Sequence, residues 1–436
     1  MDDPRLIELL RQFSECLASP DPQRNPLGEI EDLGEEAVPR LVAALDHAEA
    51  LIRRMAACAL ACLHSPNGVP FSLAPAIPRL ERMLQADPDS LARLYAAEAL
   101  WTIREDEAAI RVLVGGLRDS EAEARRCAAT MLGVVGPEAS QAMEPLIEAL
   151  GDCDIVVRRY AAEDLAAFGP AAAEALPNLE SLLREDQWTQ VVGAEAILKI
   201  APSRAEELCP VLADALHSRS SRIRYRATQA LGELPRPDAR AVSELTEALD
   251  DEDEVVRTGA LWALGQMGPA AAPAISALVA ILQGHGMDGD DVLIRGMAAS
   301  ALGEIGPEAR EAVPDLIECL DESYTGPAGT RLRLQVARAV WRIQQEPRFL
   351  RSIGIEALSG AKWSLRRLAA QWLGDLGPAA QAAVPHLERA LQDKHPSVRR
   401  HAASSLEKIS GISPCNRAES PVERQQSKSP LPLGDG

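Results

Sequence analysis

Apolar residues recur along most of the chain at spacings of three and four, the pattern of helices with one buried face, and that pattern is itself repeated. A Leu in one helix is followed eight residues later by an Arg in Leu45/Arg53, Leu117/Arg125, Leu150/Arg158, Leu216/Arg224, Leu249/Arg257, Leu358/Arg366 and Leu391/Arg399. Leu84/Arg93 has one residue more, Leu282/Arg295 and Leu320/Arg333 have five more, and Leu182 is followed by Gln190 where the Arg would stand. These make eleven copies with a basic period of 32 to 34 residues. Each copy predicts two helices. The first, as in Val313 to Leu320, carries Pro in its first turn, where the missing N–H has no intrahelical partner to lose. The second, as in Val157 to Phe168, sets Ala161, Ala162, Leu165 and Phe168 on one face, the small residues allowing close helix approach. Gly136-Pro137, Gly169-Pro170, Gly268-Pro269, Gly306-Pro307 and Gly377-Pro378 close such helices, Gly by a left-handed turn and Pro by blocking continuation.

A single hairpin of this size cannot bury its apolar faces, whereas a stack of them shares one continuous core. The predicted fold is therefore all-α, an α-solenoid of about eleven stacked two-helix repeats. The expected organisation is a degenerate capping segment over 1–33, with Leu6, Leu9, Leu10 and Phe13 on one face, then repeats over 34–410. A polar, Pro- and Ser-rich tail over 411–436 has no helical period and is expected to be disordered. The recurring VRR-x-AA-x-x-L-G-x-x-G-P pattern resembles the HEAT-repeat families, and more closely their short-period branch, the phycobilisome-lyase HEAT-like repeats. The resemblance covers roughly residues 34–410. It implies a stacked fold and leaves partner and activity open.

Composition sharpens this picture. Only 4 Phe, 4 Tyr and 6 Trp accompany a 47% hydrophobic content, so the core must be Ala and Leu, which favours helices over strands. Net charge is -20, but residues 331–410 hold 14 basic against 6 acidic side chains, while 1–330 hold 28 against 56. An acidic body repels phosphate backbones, so nucleic-acid binding is disfavoured everywhere except the basic C-terminal repeats. No apolar run approaches the roughly 20 residues of a membrane span, and the first residues lack a basic segment followed by an unbroken apolar one, so a cytoplasmic location is expected. The eight Cys show no CxxC pair and are expected to be reduced and buried, including Cys58 and Cys62 at i, i+4.

Catalytic patterns are absent: the sequence contains no P-loop, GxSxG or HExxH. None of the seven His is followed by Glu, so the His-Glu pairs by which deoxyhypusine hydroxylase, a HEAT-like enzyme, binds two irons are missing. No cofactor or metal is expected; the acidic 283–291 insertion lacks the spacing of a calcium loop.

The recurring Arg is expected to be structural. Asp stands six residues before it in Asp87/Arg93, Asp119/Arg125, Asp152/Arg158, Asp251/Arg257 and Asp393/Arg399. The Asp can cap the second helix, and the Arg can bond turn carbonyls and the Asp of an adjacent unit. The repeat with Arg184 and Gln190 at these places is expected to lack its rung and to be a weak joint near 184–193. A second Arg follows directly at Arg54, Arg126, Arg159, Arg367 and Arg400, in a helix's first turn, where positive charge costs roughly 0.3 to 1 kcal/mol, so a role at the surface is expected to offset it.

Positions one, two, five and nine after the ladder Arg lie opposite the core face and are expected to line a partner-binding groove. They read Tyr95, Glu98, Arg159, Tyr160, Glu163 and Glu195 early, then Tyr225, Arg226, Trp262, Arg338, Arg342 and Arg367. Trp101 and Trp341 fall at its edge. Exposed Trp, Tyr and Arg are the usual anchors of protein interfaces. The expected function is a noncatalytic scaffold or adaptor that binds protein partners along this groove, acidic early and basic late, with the insertions 283–291 and 321–329 as a second gripping surface. A bilin-lyase-like, chromophore-handling role is the alternative the resemblance implies; nucleic-acid contact through the basic C-terminal repeats is a further one.

Overall fold

The computed structural model describes residues 3–19, 24–63, 72–236, 238–284, 292–321, 326–360 and 362–411. The tail from Ile412, with Cys415, and residues 285–291 and 322–325 of the two insertions lie outside the described residues; residues 326–329, read from sequence as part of a loop, open the helix Gly326–Gln344. Every helix-period segment forms a helix, and no strand occurs among the described residues. The chain divides into two compact units, Met1–Arg204 and Ala205–Gly436, each a stack of helical hairpins.

In the first unit the second helices of the repeats are Ala50–Leu63, Ser90–Arg104, Ala122–Val135, Ile155–Ala167 and Gln187–Ile200. Each packs on the next, and the N-terminal helix Pro4–Ala18 packs on Ala50–Leu63. It buries Leu6, Leu9, Leu10 and Phe13 there, and Asp3 caps it by accepting from the N–H groups of Arg5 and Leu6. In the second unit the corresponding helices are Ser221–Gly232, Glu254–Gln266, Val292–Ile305, Gly326–Gln344, Trp363–Asp375 and Pro396–Ser410.

Close approach follows from a repeated juxtaposition of small residues. The residue eight after the ladder Arg faces the residue six after the ladder Arg of the next repeat. Thus a Cβ built on Gly303 would lie 2.8 Å from the Cα of Ala339, and Gly232 faces Ala263 in the same way. Apolar burial then comes mainly from Leu and Ala, as the composition requires. The glycines of the Gly-Pro steps take positive φ, from 55° at Gly268 to 83° at Gly306. Each opens a short 3-10 segment that carries the chain to the next hairpin, such as Gly268–Ala274 and Gly306–Ala312.

Candidate functional site

The recurring Arg has two tasks. Its Nη1 donates to carbonyls of its own interhelix turn: Arg93 to Asp87, Arg125 to Asp119, Arg158 to Asp152, Arg257 to Asp251 and Arg399 to Asp393, at 2.7–2.9 Å. Its other nitrogens reach the carboxylate of the following repeat: Arg53 to Asp87, Arg125 to Asp152, Arg224 to Asp251 and Arg366 to Asp393, each by two bonds. The ladder Asp does not cap the second helix, as the sequence suggested. Its Oδ1 accepts the N–H two residues on, in an Asx turn, and that next residue, Asp89, Asp154, Asp253 or His395, is the cap. The weak-joint expectation needs correction too. Arg158 pairs with Glu185 at 2.5 Å, one residue beyond Arg184, so the rung entering this repeat is intact.

A second ladder, not foreseen from the sequence, explains the Arg that follows. Arg54 pairs with Asp89, Arg126 with Asp154 and Arg159 with Asp186, in each case the N-cap of the next repeat's second helix. Arg159 also donates to Thr189 Oγ1 at 2.7 Å. Each of these arginines is the fifth residue of its helix, past the first turn in which the sequence placed it, and its carboxylate partner makes it a link between repeats. The Arg126 guanidinium holds the Asp154 carboxyl down to about 2, and Arg54 holds Asp89 below its ordinary range. Arg367 makes no ion pair among the described residues, because the corresponding cap is His395, whose ring stacks on Trp363 at 3.8 Å.

The first unit carries a cleft of 610 Å³. The helices 4–18, 50–63, 90–104, 122–135 and 155–167 all contribute to it. Tyr95, Glu98 and Tyr160, three of the expected groove residues, line it together with Met55, Met131 and Val156. Leu17 and Leu51 at its rim are 53% and 38% exposed. Glu98 is half-buried and its carboxylate has no hydrogen bond or ion pair; partial burial raises its pKa. Burial likewise raises the Tyr95 hydroxyl and pushes the Cys127 thiol up to about 12. Glu163 and Glu195 are half-buried on the next two helices.

In the second unit the expected residues are less available. Arg338 and Arg342 both close on Glu304, at 3.5 and 2.6 Å, and Arg338 also lies over the Trp372 ring. The basic late groove read from sequence is therefore partly neutralised. Trp262 is half-buried, its ring against Gly232. The Tyr225 ring is exposed over Gly259, and Arg226 is half-buried. Trp341 packs against the apolar core of the last repeats, and Trp101 is half-buried. The thiols are mostly covered, but Cys153 is exposed, because it sits in an interhelix turn between Asp152 and Asp154. Among the described residues no group of three or more His, Cys, Asp or Glu is placed to hold a metal ion, and no helix is long and apolar enough to cross a membrane.

The family model for HEAT repeats matches residues 110–201, 143–232, 209–286 and 354–419, more than half of the chain. The chain belongs to the HEAT-repeat family. A second model, the PBS lyase HEAT-like repeat, matches 294–322 of this HEAT-repeat protein. Its fold is similar to the karyopherin Kap121p bound to the SUMO protease Ulp1p, with a TM-score of 0.58 at 13% identity, covering 97% of this chain and 54% of that one. Kap121p bound to the extreme C-terminus of the protein phosphatase Cdc14p gives 0.54 at 13% identity, over 89% and 49%. The chain thus spans about half the length of Kap121p. No curated protein matches the sequence.

Proposed function

We propose that this HEAT-repeat protein is a noncatalytic scaffold that binds protein partners along the face formed by its second helices. The observation that carries this reading is the cleft of the first unit, where apolar side chains stay exposed on a surface whose arginines are already committed to the ladders. Contiguous exposed apolar area on a soluble chain marks an interaction surface. Kap121p, with the same fold, has been solved holding protein partners, which is in keeping with the reading. Among the sequence-derived groove residues, Tyr95, Glu98 and Tyr160 are the ones we assign to it; Arg159, Arg338 and Arg342 we assign to the joining of repeats.

Photo-cross-linking tests the reading. A photoreactive side chain at Thr130, exposed in the cleft, is compared with one at Glu107, exposed on a first helix. The reading expects covalent adducts with one or a few proteins, identified by mass spectrometry, from position 130 and not from 107. Equal labelling from both positions, or none from 130, would overturn it.

A further inference from the structure

Resting on that reading, we propose that the cleft of the first unit takes a segment of a partner protein that presents a lysine or arginine between apolar residues, with its cationic head on Glu98.

Five residues after the ladder Arg, Glu98 stands where the two flanking repeats have Cys58 and Thr130, so the fold accepts a small uncharged side chain there, although Glu recurs at this position at Glu163 and Glu195. The Glu98 carboxylate is half-buried and has no partner, and desolvating a charge without one costs stability. Nothing in the stack repays it: Arg54 and Arg126, the cations lining the same cleft, are held by Asp89 and Asp154. The cleft therefore keeps an uncompensated negative charge, with Glu123 exposed at its side. The whole first unit reinforces that sign, with 34 acidic against 19 basic side chains. Such a field steers cations to the surface and rejects anionic partners.

The apolar half of the recognition comes from the exposed rim residues Leu17 and Leu51 and the half-buried Val156, above a floor formed by the buried Met55 and Met131. The shape favours a chain segment over a small amine. Five helices in succession contribute to the cleft, and at about 9 Å between axes they extend over roughly 35 Å. A small molecule on Glu98 could not also reach Ser14 and Tyr160 at the two ends, whereas a helix or extended segment can. The aliphatic stem of a lysine or arginine would lie along Tyr95 while its head meets the carboxylate.

A phage-displayed library of random peptides, long enough to cross several helices, is selected against the full chain and its variant Glu98→Gln. The expected winners share a basic residue flanked by apolar ones. They bind Glu98→Gln at least about tenfold more weakly, since a desolvated pair loses one partner. The same variant should melt no lower than the wild type at neutral pH, because it removes a half-buried charge that has no partner. That combination separates a binding residue from a structural one, whose loss lowers the melting temperature. Leu51→Ser, at an exposed rim position, should also weaken binding and leave folding intact. Winners without a basic residue, winners bound equally by Glu98→Gln, or an empty selection would each overturn the inference. The scaffold reading survives any of these if position 130 still cross-links a partner, and falls on its own if it does not.

Discussion

Asp164 is 8% exposed, its Oδ2 has no hydrogen-bond partner, and it sits against Gly133 of the preceding repeat. Burial, helped by the neighbouring Glu163 charge, pushes its pKa up to about 8. An unfolded Asp ionises near 3.9, so the folded state holds a proton that the unfolded state releases over this interval. The cost of Asp164 is thus absent below about pH 4, grows as pH rises, and is complete above pH 8. Asp164→Asn should raise stability by on the order of 2 kcal/mol at pH 8 and far less at pH 5, read as the difference between the two melting-temperature shifts. An equal shift at both pH values would mean that the carboxyl's shape, not its charge, is what matters. The repeat alignment contains a signal for this residue: the position six after the ladder Arg is Ala59, Ala99, Ala196, Ala230 and Ala263 in other copies.

Between neighbouring helices, two devices set the spacing and the rotation of each hairpin on the next. The glycine at the close approach sets the spacing. Adding a Cβ at Gly303 would bring it 2.8 Å from backbone of the next helix, which cannot yield as a flexible side chain could. The gain in helix propensity, up to about 1 kcal/mol, is then outweighed by overpacking of 1–3 kcal/mol. Gly303→Ala should lower the denaturation midpoint, while Gly115→Ala, with nothing within 4 Å of its new Cβ, should leave it unchanged or raise it. The rungs set the rotation. Arg53 and Asp87 have side chains only 12% and 6% exposed and meet in two bonds. A double-mutant cycle with Arg53→Ala and Asp87→Ala should return a coupling on the order of 2 kcal/mol, because either single change strands a largely buried charge. A coupling near zero would make the rung a consequence of packing instead of a cause.

Over the whole molecule, the fold was legible because the two-helix pattern recurs eleven times and a Leu–Arg pair marks ten of the copies, so errors at one repeat are corrected by the others. The site was less so. Helical geometry put Tyr95, Glu98 and Tyr160 on one face, and all three line the cleft, but a single-helix projection has no knowledge of what the next repeat offers that face. Hence Arg159 read as a groove residue until Asp186 proved to be within reach, and Arg338 and Arg342 until Glu304 did. The same division between compensated and uncompensated charge predicts how stability depends on pH. Asp89, Asp154 and Asp393 are held below their ordinary values chiefly by Arg54, Arg126 and Arg366, so their stabilisation is complete above the unfolded value near 4 and is lost as pH falls toward 2. Glu98 and Asp164 have raised values, so their cost appears as pH climbs above about 4 and is full once both are ionised. Unfolding midpoints measured across pH should therefore rise from pH 2 to a maximum near 5 and then decline through pH 8. The variant carrying both Glu98→Gln and Asp164→Asn should flatten the decline on the alkaline side and leave the acid limb where it is. If the decline persists in that variant, the buried carboxyls are not its cause, and self-repulsion of a chain with net charge -20 becomes the alternative, which added salt should then relieve.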